Sequence, residues 1–83
     1  MKVGDMVRNV IPVRANSVVN ESRGWSSVNS GYLGIVTAVR QTSLNASYRA
    51  DGKGDVYVDV MLSVNGESVR CGNHLAGTFS VVA

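Results

Sequence analysis

No window of this 83-residue chain carries an apolar stripe at helical spacing, and that constrains its fold more than any motif does. Helices of a small domain bury one face, so their apolar residues recur every three or four positions. Here apolar residues alternate with polar ones, as in "VYVDVML" from Val56 to Leu62, or fall in short runs broken by glycine. Sixteen residues are valine. β-Branched side chains lose rotamer freedom in helices and pack well on a pleated surface, so the expected class is all-β. Eighty-three residues suffice for one core and not for two, so residues 1–83 read as a single domain.

Alternation and its punctuation place the strands. A short first strand is expected at about Asp5–Val10, with Met6 and Arg8 on one side and Val7 and Asn9 on the other. Pro12 lacks a backbone N–H and belongs at an edge or just beyond that strand. From Ala15 to Gly31, the Ser- and Asn-rich "ANSVVNESRGWSSVNSG" reads as a long loop or an irregular hairpin. A second strand spans about Tyr32–Gln41. Strict alternation there sets Leu33, Ile35, Thr37 and Val39 against Gly34, Val36, Ala38 and Arg40. Both faces are largely apolar, as in a strand that curves between two layers. "TSLNASYRADGKG" is a second long loop, closed by the turn cluster "DGKG".

The third strand, Asp55–Ser63, is the clearest, with Val56, Val58, Val60 and Leu62 inward and Tyr57 and Met61 outward. "NG" at Asn65–Gly66 predicts a tight hairpin, because both positions tolerate positive φ. A fourth strand follows at about Glu67–Cys71, with Val69 and Cys71 inward. "GNHLAG" reads as a turn with one short 3₁₀ turn, Leu75 plugging the barrel end. "TFSVVA" is the fifth strand, with Phe79 and Val81 facing the core. Five short strands in this order lay out an SH3-like, partly open five-stranded β-barrel.

At "GDMVRN" and "GYLGIVTAV" the chain resembles the KOW-type branch of SH3-like barrels. The matching positions are Gly4, Asp5 and Val7, then Gly31, Gly34, Val36 and Val39. The three-residue step from Val36 to Val39 predicts a bulge or bend. This resemblance implies a nucleic-acid role. A start like "MKVGDMV", then "LGIV", "VYVDV" and a final "VV" tail, is similar to small proteins of tailed phages, especially those of marine cyanobacteria. That likeness implies a viral origin and no particular mechanism.

Charge narrows the function classes. Only 17% of residues are charged, against about 25% in an average domain, and ten serines and seven asparagines fill the deficit. Such a surface either hides part of itself in a partner or in copies of itself, or is simply clothed in neutral polar groups. A net charge of +2 is too small to argue nucleic-acid binding alone. Six of the eight basic residues are arginine, however, which suits planar contacts to phosphates, carboxylates and rings.

Reactive constellations are sparse. One cysteine, Cys71, excludes an intramolecular disulfide. Cys71 and His74 have a C-x-x-H spacing, but structural zinc takes four ligands and the chain has no other Cys or His, so no metal is expected. As a nucleophile and base the same pair lacks an evident orienting group. Asp55 and Asp59 lie on one face of a strand yet about 13 Å apart, too far to share one ion or proton. "DGKGD" leads into a strand rather than a helix, so it is not a phosphate loop. No enzyme activity and no cofactor are expected. With no apolar run near 18 residues and no leader, neither membrane insertion nor export is expected, and the cytoplasm (the host's, for a phage protein) is the expected compartment.

The candidate binding residues are Arg23, Trp25, Tyr32, Arg40 and Arg49. Trp25 either builds an aromatic groove with Tyr32, Tyr48 and Tyr57, or folds back over the open barrel end. Tyr57 and Met61, outward on the third strand, are candidate interface residues. The expected function is a non-enzymatic protein-interaction or assembly module, partnered by another protein or by copies of itself as a homo-oligomer. The alternative is a nucleic-acid-binding barrel that uses the arginine and aromatic set.

Overall fold

A computed structural model describes residues 1–18, 24–41 and 56–82. They form β1 (Met6–Asn9), β2 (Val13–Ser17), β3 (Trp25–Val28), β4 (Leu33–Gln41), β5 (Val56–Val64), β6 (Glu67–Leu75) and β7 (Phe79–Val81). A 3₁₀ turn at Ala76–Thr78 links the last two. All pairs are antiparallel, in the order β3-β2-β6-β5-β4-β1-β7, and the sheet curls into an open half-barrel. The class is all-β, as expected, but the sheet has seven strands instead of five.

The two additional strands come from the stretch expected as a long loop or irregular hairpin. It is a hairpin, with β2 pairing β3 on one side and β6 on the other. β2 turns Val13, Ala15 and Ser17 inward and Arg14 outward. Small inward side chains suffice there, because the strand lies across a core already filled by Val69 and Cys71 of β6. Trp25 therefore starts a strand and stands exposed on it; it does not fold over the barrel end.

The concave side holds the core: Val7 of β1, Val36 of β4, Val58, Val60 and Leu62 of β5, Cys71 of β6, and Phe79 of β7. Asn9 is buried among them with its hydrogen-bonding capacity used. Its Nδ2 donates to the carbonyls of Ile11 (3.1 Å) and Asn29 (2.7 Å), and its Oδ1 accepts from the Tyr32 N–H (2.9 Å). The Gly31 N–H also donates to the Asn9 carbonyl, with Gly31 at φ 101°. One side chain thus ties the exit of β1 to the entry of β4.

Two bulges bend the sheet around Asp59. On β4 the register slips between Val36, opposite Val60, and Ala38, opposite Asp59. The bulge expected from the valine spacing is present, and it overrides strict alternation by bringing Val39 opposite buried Val58. On β6 a second slip falls between Cys71, opposite Val60, and His74, opposite Val58. β6 thereby continues to Leu75 through residues expected to form a turn. Leu75 is 47% exposed and plugs nothing, and Val81, expected in the core, is 51% exposed at the open β7 edge. The Asn65–Gly66 hairpin forms as expected, with φ of 51° and 82°.

Candidate functional site

Cross-strand register assembles the convex face into rows that sequence order scatters. Met6 pairs Ile35, Ile35 pairs Met61, Met61 pairs Arg70, Arg70 pairs Asn16, and Asn16 pairs Trp25. Directly opposed residues share a face, so these six side chains form one line across six strands, about 24 Å long at the usual strand spacing.

The line has two chemical halves. Over β1, β4 and β5 it is apolar. Met6, Leu33, Ile35 and Met61 border an open groove of about 340 Å³, with Ser63 and Ser68 at one side. Its floor depends on Gly34: a side chain there would begin 2.5 Å from the Met61 carbonyl oxygen, so only glycine lets β4 lie this close to β5.

Over β2, β3 and β6 the face carries an aromatic ring among cations. Arg14, Trp25, Gly72 and His74 line a hollow of about 290 Å³. Beside it Asn16, Ser17, Trp25 and Arg70 line a notch of about 30 Å³. The Asn16 Oδ1 atom is buried with no hydrogen-bond partner. Trp25 Cη2 comes within 3.9 Å of where a Gly72 side chain would begin. The His74 ring stacks on Phe79 at 6.3 Å between centroids.

Asp59 adjoins this half. Arg40 donates to both of its carboxylate oxygens (2.9 and 2.7 Å), and the bulged Asn73 N–H donates to Oδ1 (2.7 Å). These charge-assisted bonds, the Arg40 contact foremost, hold the Asp59 carboxyl below its ordinary pKa. Cys71 behaves oppositely: burial pushes its thiol up to about 11, so it stays protonated and inert near neutrality.

The predicted residues are not gathered in one place. Trp25 stands on the convex face, 51% exposed. Tyr32 is half-buried against the core and lines a different, polar depression with Ser26, Asn29 and Asn65. The groove expected from Trp25 and Tyr32 together is therefore not formed. Arg40 is engaged by Asp59. Arg23 and Arg49 lie outside the described residues, as do Tyr48, Asp51 and Asp55. Met61 borders the apolar groove, while Tyr57, half-buried on the same strand, sits opposite Arg40 and Leu75. Sequence reasoning missed Met6, Leu33 and Ile35 as a patch, and Arg14, Asn16 and Arg70 as neighbours of Trp25. The signal was strand register, which appears only once the pairing is known. Comparison of the chain with protein-family models, with curated proteins and with solved structures finds no match to any of them.

Proposed function

We propose that this chain is a non-enzymatic assembly module that associates with a second copy of itself through the apolar half of its convex face. The observation that carries this reading is the register-aligned line Met6–Ile35–Met61, bordered by Leu33 around one open groove. The solvent face of an antiparallel sheet is ordinarily polar. Methionine and aliphatic side chains there supply the adaptable, water-excluding contact on which interfaces depend. Among the described residues, twelve large apolar side chains are exposed, against eleven hydrophobic residues in the core. A domain this small gains from covering such surface.

A second copy fits because the line is self-complementary. Ile35 is its midpoint, so a two-fold axis there sets each Met6 against the partner's Met61, as an isologous dimer requires. A net charge of +2 offers little repulsion between copies. We read the scaffold as an SH3-like barrel enlarged by the β2–β3 hairpin. In support, β7, β1, β4, β5 and β6 lie consecutively in the sheet, with a 3₁₀ turn before the last strand.

Sedimentation and light scattering across the micromolar range test the proposal. A dimeric mass is expected for the native chain and a monomeric mass for Ile35→Lys and Met61→Lys. A native chain that stays monomeric, or lysine variants that keep the native mass, would overturn it.

A further inference from the structure

We propose that the polar depression between β3 and the β5–β6 hairpin binds a neutral saccharide, a mono- or disaccharide unit seated on an apolar floor within a hydrogen-bonding rim. The depression shares no lining residue with the proposed assembly groove, and this inference stands without it.

Shape and floor come first. The depression holds about 360 Å³, at the small end of the roughly 300–1,000 Å³ of small-molecule sites. Its floor continues the core: Val28 and Val69 are buried, and Val64 and Tyr32 pack against the same cluster. A sugar ring is itself two-sided, with C–H groups on its faces and hydroxyls around its edge. Valine methyls and an aromatic ring suit the C–H face, and the hydroxyl edge then meets the rim.

The chemistry of the rim selects the ligand class. Ser26 and Ser27 bring hydroxyls, and Asn29 and Asn65 bring amides, groups that both donate and accept. A sugar hydroxyl does both as well, so the two sets are complementary. Among the described residues lining the depression none is Lys, Arg or His. A phosphate or carboxylate would therefore give up water here without gaining a countercharge. Glu67 is the one acid in that lining, and the described residues hold no group of three His, Cys, Asp or Glu fit for a metal. A single carboxylate is instead a strong acceptor for hydroxyls.

The rim is also held in place before any ligand arrives. Buried Asn9 accepts from the Tyr32 N–H (2.9 Å) and donates to the Asn29 carbonyl (2.7 Å), which fixes the backbone on one side. On the other side the hairpin turn holds Asn65 at φ 51° and sets Val64 opposite Glu67. Preformed partners lose little freedom on binding.

Amide chemical shifts of the ¹⁵N-labelled chain read the site residue by residue. Titration into the millimolar range with maltose, cellobiose, lactose and N,N′-diacetylchitobiose is the test. At least one of these sugars is expected to shift Ser26, Ser27, Asn29, Tyr32 and Asn65 saturably, while Met6, Ile35 and Met61 stay still. Asn65→Gly keeps the turn, because glycine accepts positive φ, and removes the amide. Asn65→Gly, Ser26→Ala and Tyr32→Phe are each expected to weaken binding about 2- to 10-fold, the loss of one hydrogen bond. Ser80→Ala, on β7 at the other end of the strand order, should leave it unchanged. The same spectra show that each variant is folded. Glucose 6-sulfate should shift these amides no more than glucose does. No response to any of the four disaccharides, shifts centred away from the depression, native affinity in all three rim variants, or a preference for the sulfated sugar would each overturn the proposal.

Discussion

Gly34 and Gly72 are both strand glycines without positive φ, yet replacing them has opposite consequences. At Gly34 a Cβ would meet the Met61 carbonyl oxygen at 2.5 Å, and Leu62 Cδ2 and Val60 Cγ1 within 3 Å. Backbone cannot step aside as a flexible side chain can, so β4 and β5 must part. Gly34→Ala is expected to cost about 3 kcal/mol, typical of overpacked core sites. At Gly72 the nearest atoms, Asp59 Oδ1 and Trp25 Cη2, are both 3.9 Å away, which is ordinary contact. Gly72→Ala should therefore leave stability nearly unchanged, or raise it slightly by restricting the unfolded chain. Urea denaturation of the two variants checks the pair: a loss at position 34 with none at position 72 is the expected outcome.

At the scale of elements, Asp59 is the point about which β4, β5 and β6 bend, since both neighbouring strands bulge opposite it. Its carboxylate takes the N–H that the β6 bulge frees, at Asn73 with φ 57°, and pairs the arginine of the β4 end. Because its folded pKa lies below the ordinary 3.8, its contribution to stability is fully present above that value and is lost as pH falls through the folded pKa. The melting-temperature gap between the native chain and Asp59→Asn should accordingly be open at neutral pH and close below 3.8. The gap should be modest and shrink with added salt, because Arg40 is half exposed. A gap that persists in acid would mean that shape, and not charge, holds the bulge. The two bulges differ in how far sequence foretells them. The β4 bulge shows as a broken valine period, Val36 to Val39. The β6 bulge does not, because Gly72–Asn73 reads locally as a turn and only the carboxylate across the strand makes it a continuation. β2 and β3 were hidden for a related reason: their inward positions include Ala15 and Ser17, which carry no hydrophobic period. Of the convex line only Trp25 and Met61 are legible in the sequence, each singly; their alignment with Met6, Ile35, Arg70 and Asn16 is not, since the six meet only through register.

At the scale of the whole molecule, one sheet does the work for which larger domains use two layers. Its concave side is filled by its own valines, but its convex side and its β3 and β7 edges have no covering layer among the described residues. Unpaired edges and apolar outer rows invite association, and along the register line Met6, Ile35 and Met61 occupy one half while Arg70, Asn16 and Trp25 occupy the other. If the apolar half is an interface, folding and assembly are linked: a dimer that forms only from folded chains draws the folding equilibrium forward by mass action. The melting temperature of the native chain should then rise steadily with protein concentration over the micromolar range. Ile35→Lys should melt at one temperature whatever its concentration, and near that of the dilute native chain, because Ile35 is exposed and lies outside the buried core cluster. Arg70→Ala, outside the apolar groove, should keep the full concentration dependence. Scanning calorimetry on the three chains reads this directly. A concentration-independent native melt would place the apolar line among solvated surfaces, and a concentration-dependent Ile35→Lys melt would move the interface to the strand edges.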